Sequence, residues 1–226
     1  MTLEPIQAVS AVAVARPRLR GVLHQAFLPL FVAAAVVLVV LSGSPLGRVA
    51  MALYGLGLSA CLGTSALYHR GRWSPATRAL LGRIDHCTIF LLVAGTYTPV
   101  CLLVLRGPMA HTVLAIVWIG GALGAAMAML WPCAPVWAEV TPYIVVGWSA
   151  ALAFPELVAG MSWGGLSLLV VGGILYTGGA IIYGIQRPDP FPSVFGYHEI
   201  FHALVVLAAT AHCVAVYVWI LPRSWS

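Results

Sequence analysis

Seven apolar stretches, each about 20 residues long, follow one another along this chain with short connections between them. A stretch of that length crosses a bilayer as a helix, because a segment without access to water must satisfy its own backbone N–H and C=O groups. The spans are placed at 22–41, 49–68, 84–105, 110–130, 135–154, 163–183 and 195–221. The chain is 62% hydrophobic and 8% charged, against the roughly 25% charged residues of a soluble domain. The expected fold is an all-α integral membrane protein, a seven-transmembrane helix bundle. Its longest connection, 70–83, leaves no room for an inserted soluble domain. A basic tail, 1–21, thus precedes the membrane domain, 22–221, and a short tail, 222–226, follows it. The first span lacks a small-residue cleavage site followed by a soluble chain, so it is read as a retained helix.

Arginine placement sets the expected orientation, because positive residues near span ends favour the cytoplasmic side. With the amino terminus inside, Arg16, Arg18, Arg20, Arg70, Arg72, Arg78, Arg83 and Arg187 are cytoplasmic, and only Arg48, Arg106 and Arg223 lie opposite. An odd number of spans leaves the carboxyl terminus outside. The net charge of +5 needs no nucleic acid as partner; the anionic inner leaflet and membrane lipids suffice. Arginine without any lysine, with abundant alanine, glycine and valine, points to a bacterium of high genomic GC content and so to the plasma membrane.

Within this apolar setting the run HEIFH, from His198 to His202, opens the seventh span. Residues four apart on a helix differ by about 40° in azimuth and about 6 Å in rise, so both imidazoles reach one cation. Ionisable groups in a bilayer are costly, which makes a pair at one depth a hypothesis about function. The second span ends on the same side in SALYH, with Ser65 and His69. The third begins there in RIDHCT, which places Asp85 and His86 in its first turn. His69, His198 and His202 give three nitrogen ligands with a fourth position open, an arrangement that suits catalytic zinc. Asp85 is placed to take a proton from a zinc-bound water or to orient a ligand imidazole. Ser65, one turn before His69, contacts the water or a substrate carbonyl, or bonds back to its own helix. Blander roles exist for each: a solvated interfacial His69, and an Asp85 paired with Arg83 or capping a helix.

The remaining histidines fit the cluster less well. His212 stands about 15 Å further along its helix than His202. His24 is read as a satisfied interfacial group or a support for a ligand, His86 points about 100° away from Asp85, and His111 is near the outer surface. The cysteines Cys61, Cys87, Cys101, Cys133 and Cys213 are scattered and odd in number, which suits packing rather than a disulfide framework. Glycine pairs starting at Gly120, Gly164, Gly172 and Gly178 suit close helix approach.

The segments SALYHR, RIDHCTIFLLVAGTYTPV, GGILYTGGAIIY and GYHEIFHALVVLAATAH together resemble the haemolysin III family, within the wider progestin and adiponectin receptor superfamily. The resemblance implies seven helices, an inside amino terminus and zinc near the cytoplasmic face. The family's serine and histidine of the second span fall on Ser65 and His69, its aspartate on Asp85, and its paired histidines on His198 and His202. A further likeness of that family to alkaline ceramidases implies a metal-dependent lipid amidase. One departure stands out. Family members commonly carry a glutamate and an asparagine upstream of the first-span histidine, where this chain has Pro17 and Arg20.

Three functions therefore compete. In the first, His69, His198 and His202 hold zinc and Asp85 positions water for hydrolysis of a lipid amide or ester. In the second, HEIFH is an HExxH metalloprotease motif with Glu199 as general base, as in intramembrane site-two proteases. In the third, the protein is a receptor, a pore or a factor that adjusts membrane properties, and its zinc is structural.

Overall fold

The computed structural model describes residues 17–131 and 133–225; Arg16, counted above among the cytoplasmic arginines, lies outside them. Seven helical spans are present: α1 (Val22–Leu41), α2 (Pro45–Arg70), α3 (Pro75–Leu103), α4 (Gly107–Leu130), a broken fifth, α7 (Trp163–Ile185) and α8 (Tyr197–Ala215). The fifth consists of α5 (Val136–Gly147), a 3₁₀ turn (Ser149–Ala153) and α6 (Phe154–Gly160). Each span packs on the next, and α8 returns to α1 to close the ring. Burial is uneven. In α2 and α3, 56% of the most apolar window is buried and in α8 50%, against 17–22% in the other four spans. The helices that carry Ser65, His69, Asp85, His198 and His202 are thus the inner ones.

α3 begins nine residues earlier than its apolar run. Ser74 accepts a hydrogen bond from the Thr77 amide at 3.2 Å and Pro75 takes the first helical position, a pairing that starts a helix whatever its hydropathy. Of the arginines that mark a connection in the sequence, Arg78 and Arg83 sit on this extra length, with Arg78 over the Tyr68 ring at 4.9 Å. Asp85 is therefore ten residues into α3 rather than in its first turn, and it is buried.

The fifth span, read above as one continuous helix over 135–154, is interrupted. A break inside a membrane strands backbone groups that lipid cannot satisfy. Here the Tyr97 hydroxyl donates to the Gly147 carbonyl and accepts from the Ala150 amide at 3.0 Å, while Ser149 Oγ donates to the Val146 carbonyl at 2.8 Å. Trp148 Nε1 donates to Thr177 Oγ1 at 2.9 Å and ties the break to α7. Beyond α8 the chain continues through a π turn (Val216–Ile220) and a 3₁₀ turn (Leu221–Trp225). It packs against the α1–α2 connection, where Ser224 Oγ accepts from the Gly43 amide at 3.0 Å.

The closest helix approach involves isolated glycines rather than the paired ones. A Cβ at Gly57 would stand 2.6 Å from the Leu91 carbonyl oxygen, and one at Gly95 2.7 Å from that of Leu53, so α2 and α3 meet backbone to backbone. Among the paired glycines, Gly164, Gly165 and Gly172 seat Trp219 or His212, whereas Gly173 and Gly178 face open space. Gly57→Ala should therefore force α2 and α3 apart and cost about 1–3 kcal/mol, seen as a lowered Tm in detergent. Gly178→Ala should leave Tm unchanged or slightly higher. Equal behaviour of the two variants would contradict the packing described.

Candidate metal centre

The start of α1, the end of α2, the stretch of α3 around Asp85 and the start of α8 meet towards one end of the bundle. Gly21 makes the junction possible: it holds φ +76, and a Cβ there would lie 2.6 Å from His69 Cβ. At the start of α8, Glu199 accepts from the Gly196 amide at 2.8 Å and Asp189 accepts from the Tyr197 amide at 3.1 Å. These bonds fix the first turn of α8, from which His198 and His202 project along one face.

His69, His198 and His202 converge there, with one ligand atom from each, all within 4.8 Å of one another. His69 and His202 are buried and His198 is partly so. His198 Nε2 and His69 Nε2 stand 3.2 Å apart. Two nitrogens bound at 2.0–2.1 Å to one tetrahedral ion would be roughly 3.3 Å apart, so this spacing is the one a shared metal requires. The three nitrogen donors can hold a metal ion and leave a fourth position open.

Asp85 Oδ2 lies 3.6 Å from His69 Nε2, which places the carboxylate beside the ligand nitrogens. Ser65 is buried and lines the same end of the cavity as Asp85. A short relay anchors Asp85 itself: Thr88 Oγ1 bonds the Asp85 carbonyl at 2.8 Å and stands 2.8 Å from Thr64 Oγ1 across the α2–α3 contact. The two threonines are not signalled by spacing, although each lies within a quoted segment or next to one.

Of the two readings of His24, support for a ligand is the one the geometry favours. The residue is not interfacial but buried, and its ring stacks on His202 with centroids 3.9 Å apart and planes 15° apart. It therefore buttresses one of the three clustered imidazoles. His86 lies to the side, against Tyr183 at 6.3 Å, and Tyr143 Oη bonds its carbonyl at 3.3 Å. His111 is exposed.

Glu199 is not a solvent-facing residue at the helix start. It is 1% exposed, and its second oxygen accepts from the Arg20 guanidinium. The segment that carries Arg20 is strapped to the α7–α8 connection by the Arg18 amide to the Ser193 carbonyl at 3.0 Å and the Leu19 amide to the Val194 carbonyl at 3.1 Å. Arg20 thus makes a polar contact of its own at the position where this chain departs from the family pattern. A glutamate engaged at both oxygens is poorly placed as a general base, which weighs against an HExxH protease. Removing Arg20 would leave a buried carboxylate uncompensated, so Arg20→Ala should cost about 3 kcal/mol and lower Tm in detergent. The double variant Arg20→Ala with Glu199→Gln should recover most of that loss. No recovery would show that the pair is not coupled.

The cluster opens on a cavity of about 590 Å³ that runs between α3, α5, α7 and α8, within the range of small-molecule sites. Ser65, Asp85, His198 and His202 line its polar end, and Leu157, Leu166 and Leu169 belong to its apolar length.

This arrangement can be set beside known proteins. The family model described as Haemolysin-III related matches residues 12–213. The chain is 33% identical over 182 residues to "Hemolysin-3" of Bacillus cereus, covering 80% of each chain. It is 34% identical over 177 residues to "Hemolysin-3 homolog" of Bacillus subtilis (strain 168), covering 77% of this chain and 80% of the relative. With the human "Monocyte to macrophage differentiation factor" it shares 27% identity over 172 residues, 73% of this chain and 68% of that one. With seven apolar spans, inner helices bearing the histidine cluster, and a match across nearly the whole chain, the protein belongs to the haemolysin III family, within the progestin and adiponectin receptor superfamily.

Proposed function

We propose that this protein is a zinc-dependent hydrolase of the plasma membrane that cleaves an amide or ester bond in a lipid, with a ceramide-like amide as the leading substrate class. The observation that carries this reading is the meeting of three histidine nitrogens and a buried carboxylate at the polar end of a mainly apolar cavity. Purely structural zinc is usually closed by four protein ligands, whereas three with a carboxylate beside them suit catalysis.

Zinc held by His69, His198 and His202 would acidify a water and polarise the scissile carbonyl. Asp85 receives the proton of the attacking water and returns it to the leaving amine or alcohol. Ser65 holds the Asp85 carboxylate in place through its hydroxyl. His24 keeps the His202 ring in its plane, and the apolar length of the cavity holds the acyl chain away from water. With the amino terminus inside, the reaction takes place near the cytoplasmic face, on a substrate that enters from the membrane and not from bulk solvent.

The test is release of fatty acid from ceramide and from matched ester lipids by detergent-purified protein. Activity should vanish on chelation and return with zinc. A zinc-loaded protein that is inert on every such lipid would overturn the hydrolase. The relatives' name favours a second reading, in which the protein perturbs membranes and the metal is structural. Conductance in planar bilayers that survives metal removal would support that version.

A further inference from the structure

The cavity has unsatisfied polar groups well away from the histidine cluster. His212 lies ten residues beyond His202 on α8, about 15 Å along the helix, and it faces the same cavity while buried in the bundle. Its Nε2 is 3.0 Å from the Leu169 carbonyl of α7. A carbonyl only accepts, so Nε2 carries the ring proton and Nδ1 holds a lone pair. That Nδ1 is buried without a hydrogen-bond partner among the described residues. Gly172 gives the ring its seat, since a Cβ there would stand 2.2 Å from Nε2.

One turn further along α7, the Tyr176 ring meets His212 edge to face with centroids 5.5 Å apart. Its hydroxyl is likewise buried without a partner among the described residues, and the side chain lines the cavity. Away from the histidine cluster, three other polar side chains on the wall are satisfied: Thr96 donates to the Leu92 carbonyl at 2.7 Å, Thr177 to that of Gly173 at 2.8 Å, and Tyr97 to that of Gly147. An acceptor and a donor on neighbouring rings, both buried and without a partner among the described residues, form an arrangement that costs free energy unless a ligand group pairs them.

We propose that His212 and Tyr176 form a second polar subsite, which takes a hydroxyl group carried part-way along the chain of a lipid ligand. The hydroxyl donates to His212 Nδ1 and accepts from Tyr176 Oη, while the head of the same ligand lies at the histidine cluster. This rests on the reading above that the cavity holds an acyl chain. It makes the site selective for hydroxylated over plain chains of equal length.

The test is displacement of a fluorescent fatty acid from the purified full-length protein by stearate and by hydroxystearates that bear the hydroxyl at successive mid-chain positions. For one or two adjacent positions, the hydroxylated chain should bind roughly tenfold tighter than stearate, the size of a well-made buried hydrogen-bonded contact. Tyr176→Phe and His212→Phe should each bring that ratio close to one and leave stearate binding nearly unchanged; the isosteric tyrosine variant keeps the test decisive if the histidine variant does not fold. Equal affinity at every position, or a ratio that survives both substitutions, would mean that the pair only keeps a water, and would overturn the subsite with the lipid cavity intact. No binding of any chain would overturn the lipid cavity and the subsite with it.

Discussion

Purified His202→Ala is expected to lose its metal, from about one ion per chain in the wild type to near zero. In the proposed centre three nitrogens would hold the ion, and two would leave it bound by too few ligands to compete with water and buffer. His202 is the most constrained of the three, buried in the bundle and stacked on His24. Metal binding also stabilises the fold by mass action, about 4 kcal/mol when free metal is a thousand times Kd. The same variant should therefore unfold at a temperature that no longer responds to added zinc, whereas the wild-type Tm rises with it. Elemental analysis and a zinc titration of Tm check both points. A His202→Ala protein that keeps a full complement of metal would place the ion elsewhere.

Asp85→Asn should have the opposite profile, with metal retained and hydrolysis reduced on the order of 10²- to 10⁴-fold, the usual contribution of a positioned general base. Asparagine keeps the shape of the side chain and the anchor through Thr88, which bonds the backbone carbonyl of residue 85 and not its side chain. What it loses is the ability to take a proton. Paired measurements of bound metal and fatty acid release separate this outcome from collapse of the site. Asp85→Asn protein with wild-type release would remove Asp85 from the chemistry and reduce it to a support for His69.

The seven spans were legible because apolar length is a local property of sequence, and a membrane allows few alternatives. The meeting of His69, Asp85, His198 and His202 was legible for a related reason. In a bundle that crosses the bilayer repeatedly, the end of an even span and the starts of odd spans share a side, so depth follows from counting. What failed was anything set by azimuth or by local capping. His24 lies at the right depth, but nothing in its spacing says that α1 turns it toward His202. Arg20 and Glu199 are 179 positions apart, and their ion pair follows from folding alone. Asp85 seemed to open its span because Arg78 and Arg83 resembled a connection, although Ser74 and Pro75 spell a helix start. The broken fifth span was hidden as well. Its repair by Tyr97 comes from another helix, so its own composition still suits an unbroken span.

The central claim is that the histidine cluster is a metal centre with an open position. X-ray absorption at the zinc edge on purified, zinc-loaded protein tests it most directly. The account predicts about three imidazole nitrogens at 2.0–2.1 Å and one further oxygen ligand that exchanges when a small anion is added. A shell of four protein ligands that no added anion perturbs, or zinc that fails to bind, would contradict it.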